Sequence, residues 1–142
     1  MAGKPALTLH RRIKAPPEKV YEAWTDPALI ARWWGPPGAT FLSAEIEPRV
    51  GGRFAVGMRT PDGERHDVGG EYRELVPGRK LVFTWAWRTT PERQSLVTLT
   101  LAAAGEDTEL TLLHENFFDE PARDNHQRGW TGALDKLVAQ FE

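Results

Sequence analysis

Four histidines, His10, His66, His114 and His126, supply the side chains of this 142-residue sequence that titrate near neutrality. Two of them stand among apolar residues at structured spacing. Leu110, Leu112 and His114 share strand parity, which aims His114 at the same side as two core residues. His126 precedes Trp130 by one helical turn and lies on the same face. Placed so, the two imidazoles face an apolar interior, where they orient a ligand by hydrogen bonding or move a proton. The alternative is a satisfied polar group at the rim of a core. No two histidines show a local metal-site spacing such as H-E-x-x-H, and there is no cysteine, so no metal is expected.

Nucleophile chemistry is thinly supplied. The two serines, Ser43 and Ser95, lie outside any G-x-S-x-G turn. Glu45, Glu47, Glu71, Glu74 and Glu115 alternate with apolar residues, the pattern of acids on an exposed sheet face. Gly35-Pro36-Pro37-Gly38 and Gly51-Gly52 lack the G-x-x-x-x-G-K pattern and are turns. Catalysis is therefore expected to be absent or weak, with no catalytic residue and no organic cofactor.

What surrounds the histidines is aromatic. Of six tryptophans, four fall in Trp33-Trp34 and in the run Leu81-Val82-Phe83-Thr84-Trp85-Ala86-Trp87. Alternate residues of a strand share a face, so Leu81, Phe83, Trp85 and Trp87 make one wide stripe. Such a stripe either fills a thick core or lines a cavity for an apolar ligand. Tyr72 has the parity of Val68 and Gly70, and its hydroxyl serves an inward ligand or packs. Trp33 and Trp34, only about 100° apart on a helix, divide between core and pocket mouth, in an order the sequence leaves open.

The elements that position these residues follow from period and punctuation. Leu7, Leu9 and Ile13 alternate as a strand, and Pro16-Pro17 opens a helix carrying Val20, Ala23 and Trp24. Asp26 and Pro27 cap and start a second short helix, which Gly35 is placed to end. From about residue 39 to 115 the period is two, broken by Val50-Gly51-Gly52, Pro61-Asp62-Gly63, Pro77-Gly78, Thr89-Thr90-Pro91 and Gly105-Glu106-Asp107. That describes an antiparallel meander of about six strands. Residues of about 119 to 141 return to helical period, with His126, Trp130, Ala133, Leu134, Leu137, Val138 and Phe141 on one face. The expected fold is α+β: a curved antiparallel sheet of about seven strands wrapped around a long C-terminal helix, with two short helices after strand one.

Eighteen basic and twenty acidic residues leave a formal charge of −2, interspersed along the chain, which disfavours nucleic acid and anionic membranes as partners. No apolar run reaches about 18 residues, so no membrane insertion is expected. The start Met-Ala-Gly-Lys-Pro lacks an apolar signal core, and a cytoplasmic location is the expectation. Residues 1–142 read as one domain, with no repeat or linker.

Taken together, Val20-Tyr21-Glu22-Ala23-Trp24-Thr25-Asp26-Pro27, Trp33-Trp34-Gly35-Pro36, Gly51-Gly52-Arg53-Phe54, Gly70-Glu71-Tyr72-Arg73-Glu74-Leu75-Val76-Pro77 and His126-Gln127-Arg128-Gly129-Trp130 resemble the heat-shock-protein-90-ATPase-activator-homologue-like branch of the START-like (SRPBCC) superfamily. The resemblance implies a helix-grip fold with a deep hydrophobic cavity. Its superfamily holds carriers of lipids, sterols and hormones as well as aromatic polyketide cyclases, so it implies no single activity. In the eukaryotic co-chaperone a separate N-terminal domain carries much of the activating work, and chaperone activation is not expected of this sequence. The expected function is binding of a small hydrophobic or aromatic molecule between sheet and helix, lined by Trp33, Phe54, Tyr72, Phe83, Trp85, Trp87, His114, His126 and Trp130. The alternatives are an aromatic-cyclase-like enzyme using pocket histidines and a protein-interaction, co-chaperone-like module.

Overall fold

A computed structural model describes residues 4–142. Strand β1 (Leu7–Ile13) is followed by two short helices, α1 (Pro17–Thr25) and α2 (Pro27–Ile30). Six strands come next: β2 (Thr40–Ile46), β3 (Arg53–Arg59), β4 (Arg65–Val76), β5 (Lys80–Trp87), β6 (Ser95–Ala104) and β7 (Asp107–Glu115). Helix α3 (Glu120–Gln140) closes the chain. The strands form one antiparallel sheet in the order β1-β7-β6-β5-β4-β3-β2, curled into the half-barrel of the START-like helix-grip fold.

Register explains why the interior is continuous. His114 pairs with Leu7 on one side and Val97 on the other, Val97 pairs with Phe83, and Phe83 pairs with Tyr72. Opposed residues share a face, so one row crosses five strands and carries His114 and two of the aromatic residues inward. Against this face α3 buries Trp130, Ala133, Leu134 and Leu137. Its start is fixed by Asp119, whose carboxylate accepts from Ala122 N–H at 2.9 Å.

The curl has a local cause. Between β4 and β5 the register slips at Tyr72 to Glu74, and Glu71 N–H turns to the Thr84 hydroxyl at 2.8 Å. There the backbones approach so closely that a Cβ on Gly70 would stand 1.9 Å from Thr84 O. Only a residue without a side chain fits, and the sheet bends at that point.

The second helix is shorter than its sequence pattern predicts. Asp26 caps it through Ala28 N–H at 2.9 Å, as expected. Beyond Ile30 the winding tightens: Arg32 N–H bonds Leu29 O, and Trp33 and Trp34 N–H both point at Ile30 O. Gly35, at φ 87°, then reverses the chain. Lys136 on α3 fastens this turn by donating to Trp34 O at 3.1 Å.

All six tryptophans join one array. Ring centroids are 4.6 Å apart for Trp24 and Trp33, 5.8 Å for Trp33 and Trp34, and 5.6 Å for Trp34 and Trp85. Trp85 continues to Trp130 at 5.1 Å and to Trp87 at 5.6 Å.

Candidate functional site

Two unequal spaces lie against the inner face of the curled sheet. The smaller one, between the sheet and the short helices and bounded by Trp24, Ile30, Phe54, Tyr72 and Phe83, amounts to about 20 Å³, room for roughly one water. Phe54 meets Tyr72 at 5.7 Å and Phe83 at 5.2 Å, and Tyr72 meets Phe83 at 6.1 Å, so these rings nearly fill that space with one another. The second space is an open recess of about 390 Å³ between β5 and the first half of α3. Trp85, Trp87, His126 and Trp130 wall it, and Trp34 with Gly35 and Pro36 forms one rim. Met58, His66, Thr89, Thr90 and Asn125 also line it.

The nine residues singled out from sequence thus separate into two groups and two single residues. Trp85, Trp87, His126 and Trp130 come together around the recess. Phe54, Tyr72 and Phe83 line the nearly filled interior. Trp33 is 1% exposed, and its indole donates to Ala23 O at 3.0 Å, away from the recess. His114 is fully buried behind the wall, in contact with Trp85 and Trp130. Sequence reasoning passed over Gly129 and Ala133 as lining residues, although Asn125, Gly129 and Ala133 are spaced at i, i+4 and i+8 and face the recess together.

Both imidazoles have assigned protons. His114 Nδ1 accepts from Trp130 Nε1–H at 3.0 Å, so its proton is on Nε2, which donates to Ser95 Oγ at 2.7 Å. Ser95 in turn donates to Trp85 O at 3.3 Å. On His126 the proton is on Nδ1, donated to Ala122 O at 2.7 Å. His126 Nε2 then accepts from two indoles, Trp85 Nε1–H at 3.2 Å and Trp87 Nε1–H at 2.9 Å. Burial, reinforced by the nearby His126, holds the His114 pKa well below its ordinary value. Burial also lowers that of His126, partly offset by the bond to Ala122 O. Both rings are neutral at pH 7.

This makes stability depend on pH in a fixed direction. In the unfolded chain a histidine titrates near 6.5; with the folded value lower, the unfolded state takes up the proton first. The contribution is therefore complete above pH 6.5 and is lost as pH falls toward the folded value. Urea unfolding is expected to show stability falling by about 1.4 kcal/mol per pH unit on account of His114 as pH drops below about 6. His114→Gln keeps an acceptor and a donor without titrating, and should flatten that slope. A slope unchanged by the replacement would contradict a neutral, buried His114.

Among the described residues, one group has the makings of a cation site: Asp62, Glu64 and His66 on the turn from β3 to β4. Its groups are engaged locally. Asp62 accepts from the Thr60 hydroxyl and Glu64 N–H, and His66 Nε2 lies 3.2 Å from Thr60 Oγ1. No described helix is long and apolar enough to cross a membrane.

The fold recurs in solved structures. A protein from Chromobacterium violaceum, CV1439, is 33% identical with a TM-score of 0.87 over 97% of this chain and 98% of that one. The AHSA1 protein from Silicibacter pomeroyi is 28% identical with a TM-score of 0.84 over 96% of each chain. Over 125 residues the chain is 27% identical to the human activator of 90 kDa heat shock protein ATPase homolog 1, covering 87% of this chain but only 33% of that protein's length. The segment that matches the family of Activator of Hsp90 ATPase homolog 1-like proteins, residues 14–142, contains both short helices, the whole meander, α3 and every residue of the recess, and the chain belongs to that family.

Proposed function

We propose that this protein binds a small hydrophobic or aromatic molecule in the recess between β5 and α3. The observation that carries the reading is Gly129. It stands in the middle of a 21-residue helix, faces the recess, and a Cβ placed on it would meet nothing within 4 Å. A glycine there costs the helix about 1 kcal/mol relative to alanine, and a larger side chain would cover indole surface that water now reaches. Leaving this room beside Trp85, Trp87 and Trp130 suits an occupant that comes and goes.

The two other readings have less support. A cyclase-like proton transfer needs an imidazole nitrogen free to meet substrate, whereas all four nitrogens of His114 and His126 are engaged. A docking module presenting Trp33 or Trp34 needs them exposed, and they are 1% and 7% exposed.

A ligand at about 100 times its Kd is expected to add about 2.7 kcal/mol of stability, a rise in Tm of about 5–12 °C for a chain of this length. Gly129→Phe should remain folded and lose that shift, while Gly129→Ala should keep it and gain about 0.5–1 kcal/mol of intrinsic stability. Thermal scans of the three proteins against a library of apolar and aromatic compounds decide the matter. No shift from any compound, or equal shifts in wild type and Gly129→Phe, would overturn the proposal.

A further inference from the structure

The two indole donors that converge on His126 say what kind of molecule the recess takes. A neutral imidazole whose Nδ1–H is already given to Ala122 O has one in-plane lone pair left, at Nε2. Trp85 Nε1–H and Trp87 Nε1–H both aim at it, at 3.2 and 2.9 Å. Two donors share one acceptor, so the wall of the recess holds one N–H more than the protein itself can satisfy. Trp85 is 4% exposed and hemmed in by Trp34, Phe54 and Trp130, whereas Trp87 is half-buried at the open end of the strand. Trp87 is therefore the donor able to turn, and when it does Trp85 keeps the whole of the His126 lone pair.

We propose that the ligand is an uncharged aromatic molecule bearing a carbonyl-type acceptor, and that it takes the Trp87 indole N–H shared with His126. This rests on the recess being a binding site. The aromatic part follows from its walls, the indoles of Trp34, Trp85, Trp87 and Trp130. The absence of charge follows from what is missing around it: among the described residues, no lysine, arginine, aspartate or glutamate lines the recess. A carboxylate would be desolvated there with no lysine or arginine to pair with. A cation would meet attractive ring faces but also the positive end of the surplus N–H.

The test uses four ligands with one ring system: naphthalene, 2-acetylnaphthalene, 2-naphthoate and trimethyl(2-naphthyl)ammonium, titrated into wild type and Trp87→Phe. In wild type the ketone should bind at least tenfold more tightly than the carboxylate or the ammonium ion. The Trp87 indole N–H resonance in a nitrogen-15-labelled sample should move downfield with the ketone, the direction of a new hydrogen bond, beyond whatever ring-current shift naphthalene alone produces. In Trp87→Phe the ratio of ketone to naphthalene affinity should fall about tenfold, the size of one hydrogen bond to a buried donor. Should that variant not fold, the wild-type series and the indole resonance still decide. A Trp87 resonance that moves no further with the ketone than with naphthalene, an unchanged affinity ratio, or tighter binding of either ion overturns this inference. Failure of all four ligands to bind overturns instead the reading of the recess on which it rests.

Discussion

Replacement of His114 by alanine is expected to cost about 4–6 kcal/mol of stability, measured by urea unfolding at pH 7.5. His114 is 0% exposed and joins three elements: Trp130 of α3 donates to it, it donates to Ser95 of β6, and Ser95 donates to Trp85 O on β5. Deleting the ring removes packing worth about 3 kcal/mol for a side chain of this size. It also leaves the Trp130 N–H without its buried acceptor, at about 1–3 kcal/mol, while the Ser95 hydroxyl keeps its bond to Trp85 O. Set against a typical total of about 5–15 kcal/mol, the variant is left with little. His114→Gln, able to accept from Trp130 and donate to Ser95, should recover most of the loss. A His114→Ala protein within about 1 kcal/mol of wild type would mean that the chain of bonds does not join α3 to the sheet energetically.

Gly70→Ala is expected to abolish cooperative unfolding altogether. Its Cβ would come within 1.9 Å of Thr84 O and 2.6 Å of Thr84 C, both backbone atoms, and within 2.9 Å of the Phe54 ring. A side chain can rotate out of such a contact, but backbone yields only if β4 and β5 part. Parting them breaks the bond from Glu71 N–H to Thr84 and flattens the bend that brings Trp85 and Trp87 over α3. We expect soluble yield and near-ultraviolet circular dichroism to collapse, with a cost of about 4–5 kcal/mol or more. Gly129→Ala, where the new methyl meets open space, is the matched control. A Gly70→Ala protein that melts within a few degrees of wild type would show that the curl is held elsewhere.

Much of the architecture was legible because it rests on local signals. Alternation marked Leu110, Leu112 and His114 as one inward face, and all three are 0% exposed. Asp26 was readable as a cap from its neighbours alone. The division of the aromatic residues between filling and lining was not readable, since Phe83 and Trp85 have the same parity on the same strand. What separates them is how far the sheet has curled by the time the chain reaches each, and that curl depends on Gly70 meeting Thr84 across two strands. Trp33 and Trp34 pose the same difficulty: a short tight turn, not the helical wheel, sends one toward Ala23 O and the other to the recess. The protons on the imidazoles were beyond reach for a simpler reason. Their partners, Trp130 and Ser95 for one ring and two indoles for the other, come from other elements.

The unbroken array of six indoles gives the protein an optical property. With neighbouring rings 4.6 to 5.8 Å apart from Trp24 through Trp33, Trp34 and Trp85 to Trp87, an excited state created on any one of them migrates among all before it emits. A molecule seated against Trp87 at one end would then drain emission from Trp24 at the other, which it never touches. Intrinsic fluorescence should fall by far more than the fraction of tryptophans in contact with the quencher, and its polarisation should be low even in a rigid glass. Occupancy of one recess is in that way written into the light of the entire molecule.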